Sequence, residues 1–546
     1  MRKISRGQFI KLIGAAATVV VLGRFVDLTS FGKSQSSSKS SGSGLTEANA
    51  QLAGQWNDGP LSSVTPIHVA LLPTGKILVV AGSGYHTFTV DGPFQAKVVD
   101  PDSGDEVSYT FSEDLFCSGH CQLANGNILI AGGTLSFDVA NPSGQFLGLK
   151  SAYEFDVRTN RFEKLQSMRH GRWYPTLVTL GDGKVFVADG LDEYGARNAL
   201  IEIYDPSTKT FSLQFNPNSN LTYCVGTGSP LPGAGSPCYG GNNNGVSPFT
   251  SFYPRMHLMP SGLLLVCGMD NEVYLVNPNT GVWTFVGSTQ FVWRDYGNSF
   301  LLPLHNAATE RGKVLIVGGQ FGEVDPATAT SEMIDFEAGT NTAPVLRNSA
   351  SLSIARKFGL PVMLPTGKLA VFGGTTGATF DYIHTPELFD PESETWTTLP
   401  DASVSRSYHS TALLLADGRV WTASGTPDRY TWERRTEIFS PSYMFAGSRP
   451  SINGRVTVGP YGGTIQIPTA DPSNVNSVSL VRLMSTTHHY SPDQRLIWLQ
   501  IQSTTSTSVT VNAPINANVA PPGYYMIHIL DSAEVPSESK IIQIPG

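Results

Sequence analysis

One pattern recurs seven times along the chain and constrains its fold more than any other feature. Each repeat has a turn that ends in glycine, then a short apolar strand, then a small residue or a glycine pair, as in LPTGKILVVAG from Leu72. A repeat of about 50 residues with strand-turn-strand content is typical of β-propeller blades. The seven turn glycines are Gly75, Gly126, Gly183, Gly262, Gly312, Gly367 and Gly418.

The two ends of the repeat array complement each other. The last repeat lacks a final strand, and a strand of the missing type, GQWNDGPL with Trp56, precedes the first repeat. Such an N-terminal strand would complete the last blade and leave no open sheet edge. Several repeats also contain a second strand pair around an acidic turn, as in ELFDPESETWTTLP from Glu387, which resembles the Kelch blade. We therefore predict a seven-bladed Kelch-like β-propeller over residues 45–440.

The repeat stops after about Ser440, and alternating strands such as SVSLVRL and RLIWLQI follow at short intervals. This spacing predicts a small Ig-like β-sandwich over residues 441–546. An all-β chain also agrees with the composition, since charged residues are only 15% and there are 55 glycines. The net charge of −8 comes without a basic stripe, which argues against a nucleic-acid partner.

The N-terminus reads as a targeting segment. Residues 1–32 contain a basic start and the apolar run Leu12–Gly23, which is short for a bilayer span and typical of a signal peptide. The segment is either a cleaved signal or a retained membrane anchor, and residues 33–44 form a Ser/Gly-rich linker. We expect a secreted or cell-surface protein, in which Cys224 and Cys238 either form a disulfide or stay free.

A set of reactive side chains shares one place in the repeat. The residue nine positions before each turn glycine, called here the ring position, falls near the start of the strand that lines the propeller axis. Taken singly, a Cys, Tyr or His there most often packs in the core. Because these side chains share the same position in the repeat, they favour a site around the axis instead. The seven residues are Pro66, Cys117, Tyr174, Tyr253, Pro303, Phe358 and His409.

Local sequences around these residues carry a family resemblance. LFCSGH at Cys117, RWYPT at Tyr174 and SRSYHSTALLLADGRV at Tyr408 and His409 resemble the copper radical oxidases, which include galactose oxidase and glyoxal oxidase. STTHHYSPDQR at Ser485–Arg495 resembles the terminal domain of that family.

The resemblance implies a cofactor and a ligand set. Cys117 and Tyr174 would form a thioether-linked Tyr-Cys radical cofactor, and Tyr408 would be the axial ligand and the base. The four ligands of one copper ion would be Tyr174, Tyr408, His409 and His488, with His489 as the alternative to His488. Two imidazoles and two phenolates are a set that suits Cu(II).

The implied reaction is the two-electron oxidation of a small aldehyde, or of a primary alcohol or glycan end, with O₂ reduced to hydrogen peroxide. One departure concerns Asp192, which stands where galactose oxidase places an indole over the crosslink; Tyr253 or Trp293 could supply an aromatic instead. This departure favours the glyoxal oxidase side, and Arg255 is a candidate hydrogen-bond donor to substrate. Two alternatives stay open: a non-catalytic Kelch-type module that binds glycans or proteins, and a copper protein without the thioether.

Overall fold

The computed structural model shows a chain built almost entirely of strands. Among the described residues, the regular elements are strands and two short 3₁₀ helices, Ser442–Met444 and Pro472–Asn474, which confirms the predicted all-β class. No helix in the part described is long and apolar enough to cross a membrane. The predicted signal segment, the linker, Cys224 and Cys238 lie outside the described residues. Those residues are 53–83, 94–137, 146–198, 200–215, 252–268, 270–321, 326–377, 381–426 and 432–546.

The strands of the repeat region are short, and most span four to six residues. In chain order they are β1 (Gln55–Asp58), β2 (His68–Leu71), β3 (Ile77–Gly82), β4 (Phe94–Val99), β5 (Glu106–Phe111), β6 (Gly119–Gln122), β7 (Ile128–Ala131), β8 (Thr134–Phe137), β9 (Phe146–Gly148), β10 (Ala152–Asp156), β11 (Arg161–Lys164), β12 (Thr176–Thr179), β13 (Val185–Ala188), β14 (Ile201–Asp205), β15 (Thr210–Phe215), β16 (Arg255–Leu258), β17 (Leu264–Cys267), β18 (Asp270–Val276), β19 (Trp283–Trp293), β20 (Asn298–Leu301), β21 (Leu304–His305), β22 (Lys313–Val317), β23 (Ser331–Thr340), β24 (Ala343–Ser349), β25 (Leu360–Met363), β26 (Leu369–Phe372), β27 (Glu387–Asp390), β28 (Thr395–Thr398), β29 (Thr411–Leu414), β30 (Val420–Ala423) and β31 (Thr436–Ser440). The C-terminal strands are β32 (Thr457–Val458), β33 (Thr464–Pro468), β34 (Ser477–Arg482), β35 (Ser485–Thr487), β36 (Leu496–Leu499), β37 (Ile501–Thr504), β38 (Ser508–Asn512), β39 (Gly523–Leu530) and β40 (Lys540–Ile544).

Each sequence repeat forms one antiparallel sheet. The seven sheets begin with β2, β6, β12, β16, β20, β25 and β29, and in each the strand after the turn glycine lies next to the first strand. All seven turn glycines have φ between 77° and 95°, a region that glycine enters without strain. Most first strands of neighbouring sheets contact one another, as β6 contacts both β2 and β12. Their side chains are buried, so the first strands line the interior.

The predicted N-terminal strand is present and joins the last sheet. β1 pairs antiparallel with β31, and Trp56 lies opposite Phe439. The two rings lie 5.0 Å apart, and the Trp56 indole donates to the backbone oxygen of Pro400 at 2.8 Å. The pairing covers the edge of β31. The closed seven-bladed ring as such stays a prediction.

Buried ion pairs fix the loops that lead into the first strands. In four sheets an arginine just before the ring position reaches a glutamate on the third strand and also donates to backbone carbonyls. A buried charge of this kind is tolerated because it is paired and hydrogen-bonded. The pairs are Arg172–Glu202, Arg294–Glu332, Arg356–Glu387 and Arg406–Glu437.

The C-terminal region contains two facing sheets. One has the order β36-β34-β39-β40 and the other β32-β33-β38-β37. Apolar residues of both sheets, such as Ile465, Leu480, Val509 and Ile527, share one buried cluster. These two sheets agree with the predicted sandwich, although its Ig-like topology stays a prediction. β35 leaves this region and pairs with β2, so that the C-terminal chain enters the repeat region.

One predicted ring residue is wrong. In the fifth sheet the ring position, two residues before the first strand, is held by Tyr296 and not by Pro303. The other turns are closed by a bond between residues four apart, as from Leu364 N–H to Lys368 O, whereas this turn closes from Leu302 to Lys313. The extra residues form β21, which pairs in parallel with β36. Because the inserted segment with β21 lengthens this turn, counting nine residues back from Gly312 reached Pro303 and not Tyr296.

Candidate metal centre

The ring position brings predicted site residues to the same end of the sheets. Cys117, Tyr174 and His409 each lie two residues before β6, β12 and β29, with φ of 64°, 69° and 64°. Positive φ in a residue with a side chain costs about 1–3 kcal/mol and persists only where the surroundings enforce it. Here the backbone is tied across sheets, since the Tyr174 N–H donates to Cys117 O at 2.9 Å.

His488 and His489 form the tip of a tight turn. Thr487 and Tyr490 exchange both backbone hydrogen bonds, at 3.1 and 2.9 Å, and both histidines have positive φ, 47° and 66°. Positive φ at both central residues is the signature of a type I′ hairpin turn. The Tyr490 hydroxyl accepts a bond from the Met256 N–H at 2.9 Å and anchors the turn.

Four predicted ligands meet at this tip. The Tyr174 and Tyr408 hydroxyls are hydrogen-bonded to each other. The His409 and His488 rings lie 4.7 Å apart and almost perpendicular, at 89°. The ring centroids of Tyr174 and His488 lie 4.7 Å apart, and those of Tyr408 and His409 lie 3.9 Å apart. Two phenols and two imidazoles therefore converge at one place.

Cys117 lies beside this group. Its sulfur is 4.0 Å from His488 Nε2, and it is fully buried in a cluster that includes Tyr174. Burial raises the pKa of the Cys117 thiol well above its ordinary value, and hydrogen bonding from Tyr174 partly offsets this. The Cys117 N–H donates to Nε2 of His68 at 3.0 Å. His68 was not predicted from the sequence. The feature that could have indicated it is its position, two residues after the ring position of the first sheet.

The protonation states suit a metal site. Burial lowers the pKa of His409 to about 3, and burial followed by the neighbouring His409 charge lowers that of His488 well below its ordinary value. Both imidazoles are thus neutral, the form that binds metals. Burial, then the nearby Cys117 and Tyr408, raises the pKa of Tyr174 well above its ordinary value. A bound cation would reverse that shift, so the donor set fits copper.

Aromatic side chains pack around Tyr174, and a phenol and an indole ring lie within 5 Å of its ring centroid. Tyr253 lies 4.5 Å away at 50°, and Trp173 lies 3.9 Å away at 49°. Trp173 is itself stacked on Phe146 at 4.3 Å and 3°. Trp293 ends an outer strand of the fourth sheet, while the Asp192 carboxylate accepts backbone N–H bonds within its own loop. Sequence reasoning named Tyr253 but missed Trp173, which directly precedes the tyrosine it covers.

Arg255 supports the backbone of the site. Its guanidinium is buried, donates to the carbonyls of Tyr253 and Gly297, and lies 4.9 Å from the Tyr490 ring centroid. Its hydrogen bonds thus hold the tyrosine loop.

Comparison with known proteins gives a consistent result. Residues 243–443 match the family model "Glyoxal oxidase N-terminus", and residues 449–544 match "Galactose oxidase-like, Early set domain". Galactose oxidase of Gibberella zeae is 27% identical over 524 residues, which cover 90% of this chain and 70% of that protein. Aldehyde oxidase GLOX of Vitis pseudoreticulata is 26% identical, with 79% of this chain and 82% of that protein covered. A solved fungal alcohol oxidase of the AA5 family, in complex with copper, superposes with a TM-score of 0.74 at 25% identity and covers 90% of this chain and 100% of that one.

Proposed function

The chain belongs to the copper radical oxidase family, and on that premise we propose that it oxidises a small aldehyde or primary alcohol by two electrons while reducing O₂ to hydrogen peroxide. The observation that carries the proposal is the hydrogen-bonded Tyr174–Tyr408 pair beside the crossed His409 and His488 rings.

The proposed cofactor has two parts. Tyr174, Tyr408, His409 and His488 hold one copper, and Cys117 is joined to Tyr174 by a thioether. When bound, copper supplies one of the two one-electron acceptors that the oxidation needs, and the linked tyrosine supplies the other. The 4.0 Å approach of the Cys117 sulfur to His488 Nε2 supports a thiol inside this group.

Tyr408 is the proposed base. Its hydroxyl is bonded to that of Tyr174, and it is less buried than the other three ligands. A phenol oxygen at the open side can take the proton of a substrate hydroxyl. The hydrate of an aldehyde also carries a hydroxyl, so Tyr408 can take a proton from an aldehyde hydrate or from a primary alcohol.

Among substrate classes we favour small aldehydes, with primary alcohols second. The match to the glyoxal oxidase family model and the carboxylate at position 192 support this order. A module that only binds glycans or proteins would have no use for a buried thiol, two paired phenols and crossed imidazoles.

The proposal extends to the organisation of the chain. Residues 45–440 form a seven-bladed propeller, residues 441–546 an Ig-like sandwich, and residues 1–32 direct export from the cytoplasm. Seven antiparallel sheets of four or five strands, most of whose first strands contact a neighbouring first strand, support the propeller. Fractionation of cells that express the chain with and without residues 1–32 tests the export.

The proposed activity is tested by purification with added copper and a peroxide-release screen. Glyoxal, methylglyoxal, galactose and benzyl alcohol cover the substrate classes. We expect peroxide with at least one aldehyde, and none from Tyr174→Phe protein prepared in parallel. Stoichiometric copper without peroxide on any aldehyde or alcohol would contradict the proposal.

A further inference from the structure

Lys357 is a buried cation with few partners. The residue is 6% exposed, and its ammonium donates to Gln320 Oε1 at 2.6 Å. A lysine ammonium carries three donors, so two remain without an acceptor among the described residues. Gln320 is itself buried, at 1% exposure, and holds the ammonium in place.

No carboxylate in the described ranges forms an ion pair with this ammonium. Burial lowers the pKa of Lys357, and the more distant charge of Asp295 raises it only in part. A buried charge without a partner is costly, and most proteins pair it or expose it. In contrast, the buried arginines of the same sheets each reach a glutamate.

The ammonium lies against an aromatic ring that packs on the proposed base. Its nitrogen is 5.3 Å from the ring centroid of Phe358, the ring residue of the sixth sheet. That ring in turn lies 5.2 Å from Tyr408, the proposed base, and 4.9 Å from His489. Tyr408 and Tyr296, which flank Phe358, are both partly exposed, so the site opens on this side.

We propose that Lys357 binds an anionic group of the substrate, so that the preferred substrates are small aldehydes or hydroxy acids that carry a carboxylate. This rests on the proposed oxidase function. The carboxylate accepts the two unused N–H groups, and the reactive carbon is directed past Phe358 toward Tyr408. Charge-assisted bonds of this type are among the strongest available to a small ligand.

Glyoxylate is the simplest such substrate. Its hydrate loses the C–H hydrogen, one hydroxyl proton and two electrons to become oxalate, and O₂ takes two electrons and two protons to become hydrogen peroxide. Glyoxal has the same two-carbon frame with a neutral aldehyde in place of the carboxylate. The pair therefore isolates the contribution of the charge.

The test compares Lys357→Met with wild type on glyoxylate and glyoxal. We expect the KM for glyoxylate to rise about 10- to 100-fold, the range for a lost hydrogen bond to a charged group, with glyoxal kinetics unchanged within about twofold. Lys313→Met is the control, since Lys313 lies on the neighbouring sheet, is 38% exposed and faces Asp335 at 3.7 Å. An equal effect on both substrates, or none on either, overturns the inference.

Binding gives a readout that does not depend on turnover. Calorimetry of the purified protein, with and without added copper, should show propionate binding more tightly than propionamide in wild type and Lys313→Met, and equal weak binding in Lys357→Met. If that pattern appears without any peroxide release, the oxidase proposal fails and the anion site stands. Peroxide release with no preference for propionate leaves the oxidase and removes the anion site. Should Lys357→Met not fold, the propionate and propionamide affinities of wild type decide alone.

Discussion

At the scale of single residues, Tyr408 and His409 are neighbours with different roles. Both approach the same point, but Tyr408 is hydrogen-bonded to a second phenol while His409 crosses the ring of His488. The Tyr408 oxygen can therefore matter more for proton transfer, and the His409 nitrogen more for metal binding.

Tyr408→Phe should therefore separate metal binding from catalysis. The change removes the hydroxyl and keeps the ring, so copper content should survive while peroxide production falls by about 10²- to 10⁴-fold, the usual loss for an acid/base group. His409→Ala should lose copper and activity together, because it removes one of two nitrogen ligands. Metal analysis and a peroxide assay on both variants make the comparison. Near wild-type turnover in Tyr408→Phe would show that another group takes the substrate proton.

At the scale of elements, the site depends on a hairpin from another part of the chain. β35 pairs with β2, and the Thr487–Tyr490 turn then carries two histidines to the ring residues. The His488 ring contacts both Tyr174 and His409, whereas the His489 ring packs on Phe358 at 4.9 Å between centroids. Neither His489 nitrogen has a hydrogen-bond partner among the described residues.

The hairpin predicts unequal effects of its two histidines. His488→Ala should weaken copper binding by more than the roughly 10- to 100-fold that loss of a supporting residue costs. His489→Ala keeps the whole donor set and should retain copper. Competitive titration against a copper chelator measures both affinities. The opposite ranking would make His489 the ligand.

The sequence predicted the elements better than the contacts between them. The turn glycines marked all seven sheets. Six ring residues were correct, because the turn between the first two strands has the same length in those six sheets. Pro303 failed where β21 was inserted. The histidine turn was missed because a type I′ turn is normally signalled by Asn-Gly. Trp173 and His68 were missed because each lies beside a ring position, and the sequence does not show what an offset of one or two residues will touch.

At the scale of the whole molecule, buried neutral histidines couple stability to pH. His528, far from the ring residues in sequence and on β39, donates from Nδ1 to Ser537 O at 2.9 Å, and burial lowers its pKa to about 4. Below the ordinary histidine pKa of about 6.5, His528 is protonated in the unfolded chain but stays neutral in the folded chain. Acidification from pH 6.5 towards 4 therefore destabilises the native state.

His528→Asn should reduce this acid sensitivity, because the amide can keep the bond to Ser537 but does not titrate. Between pH 6.5 and 5 the variant should lose about 1–2 kcal/mol less unfolding free energy than wild type. Urea unfolding of copper-free protein at several pH values measures the difference. Parallel pH profiles for the two proteins would show that the pKa of His528 is the same in the folded and unfolded states.

The proposed radical cofactor depends above all on the thioether between Cys117 and Tyr174, and mass spectrometry tests that bond directly. After aerobic loading with copper, the peptides that contain the two residues should be recovered as one species, lighter than their sum by two hydrogens. That link should survive reduction, unlike a disulfide, and Cys117→Ser protein should yield the two peptides separately. Alkylation of Cys117 in fully copper-loaded, active wild-type protein would contradict the proposed cofactor, since a free thiol there leaves the thioether unformed.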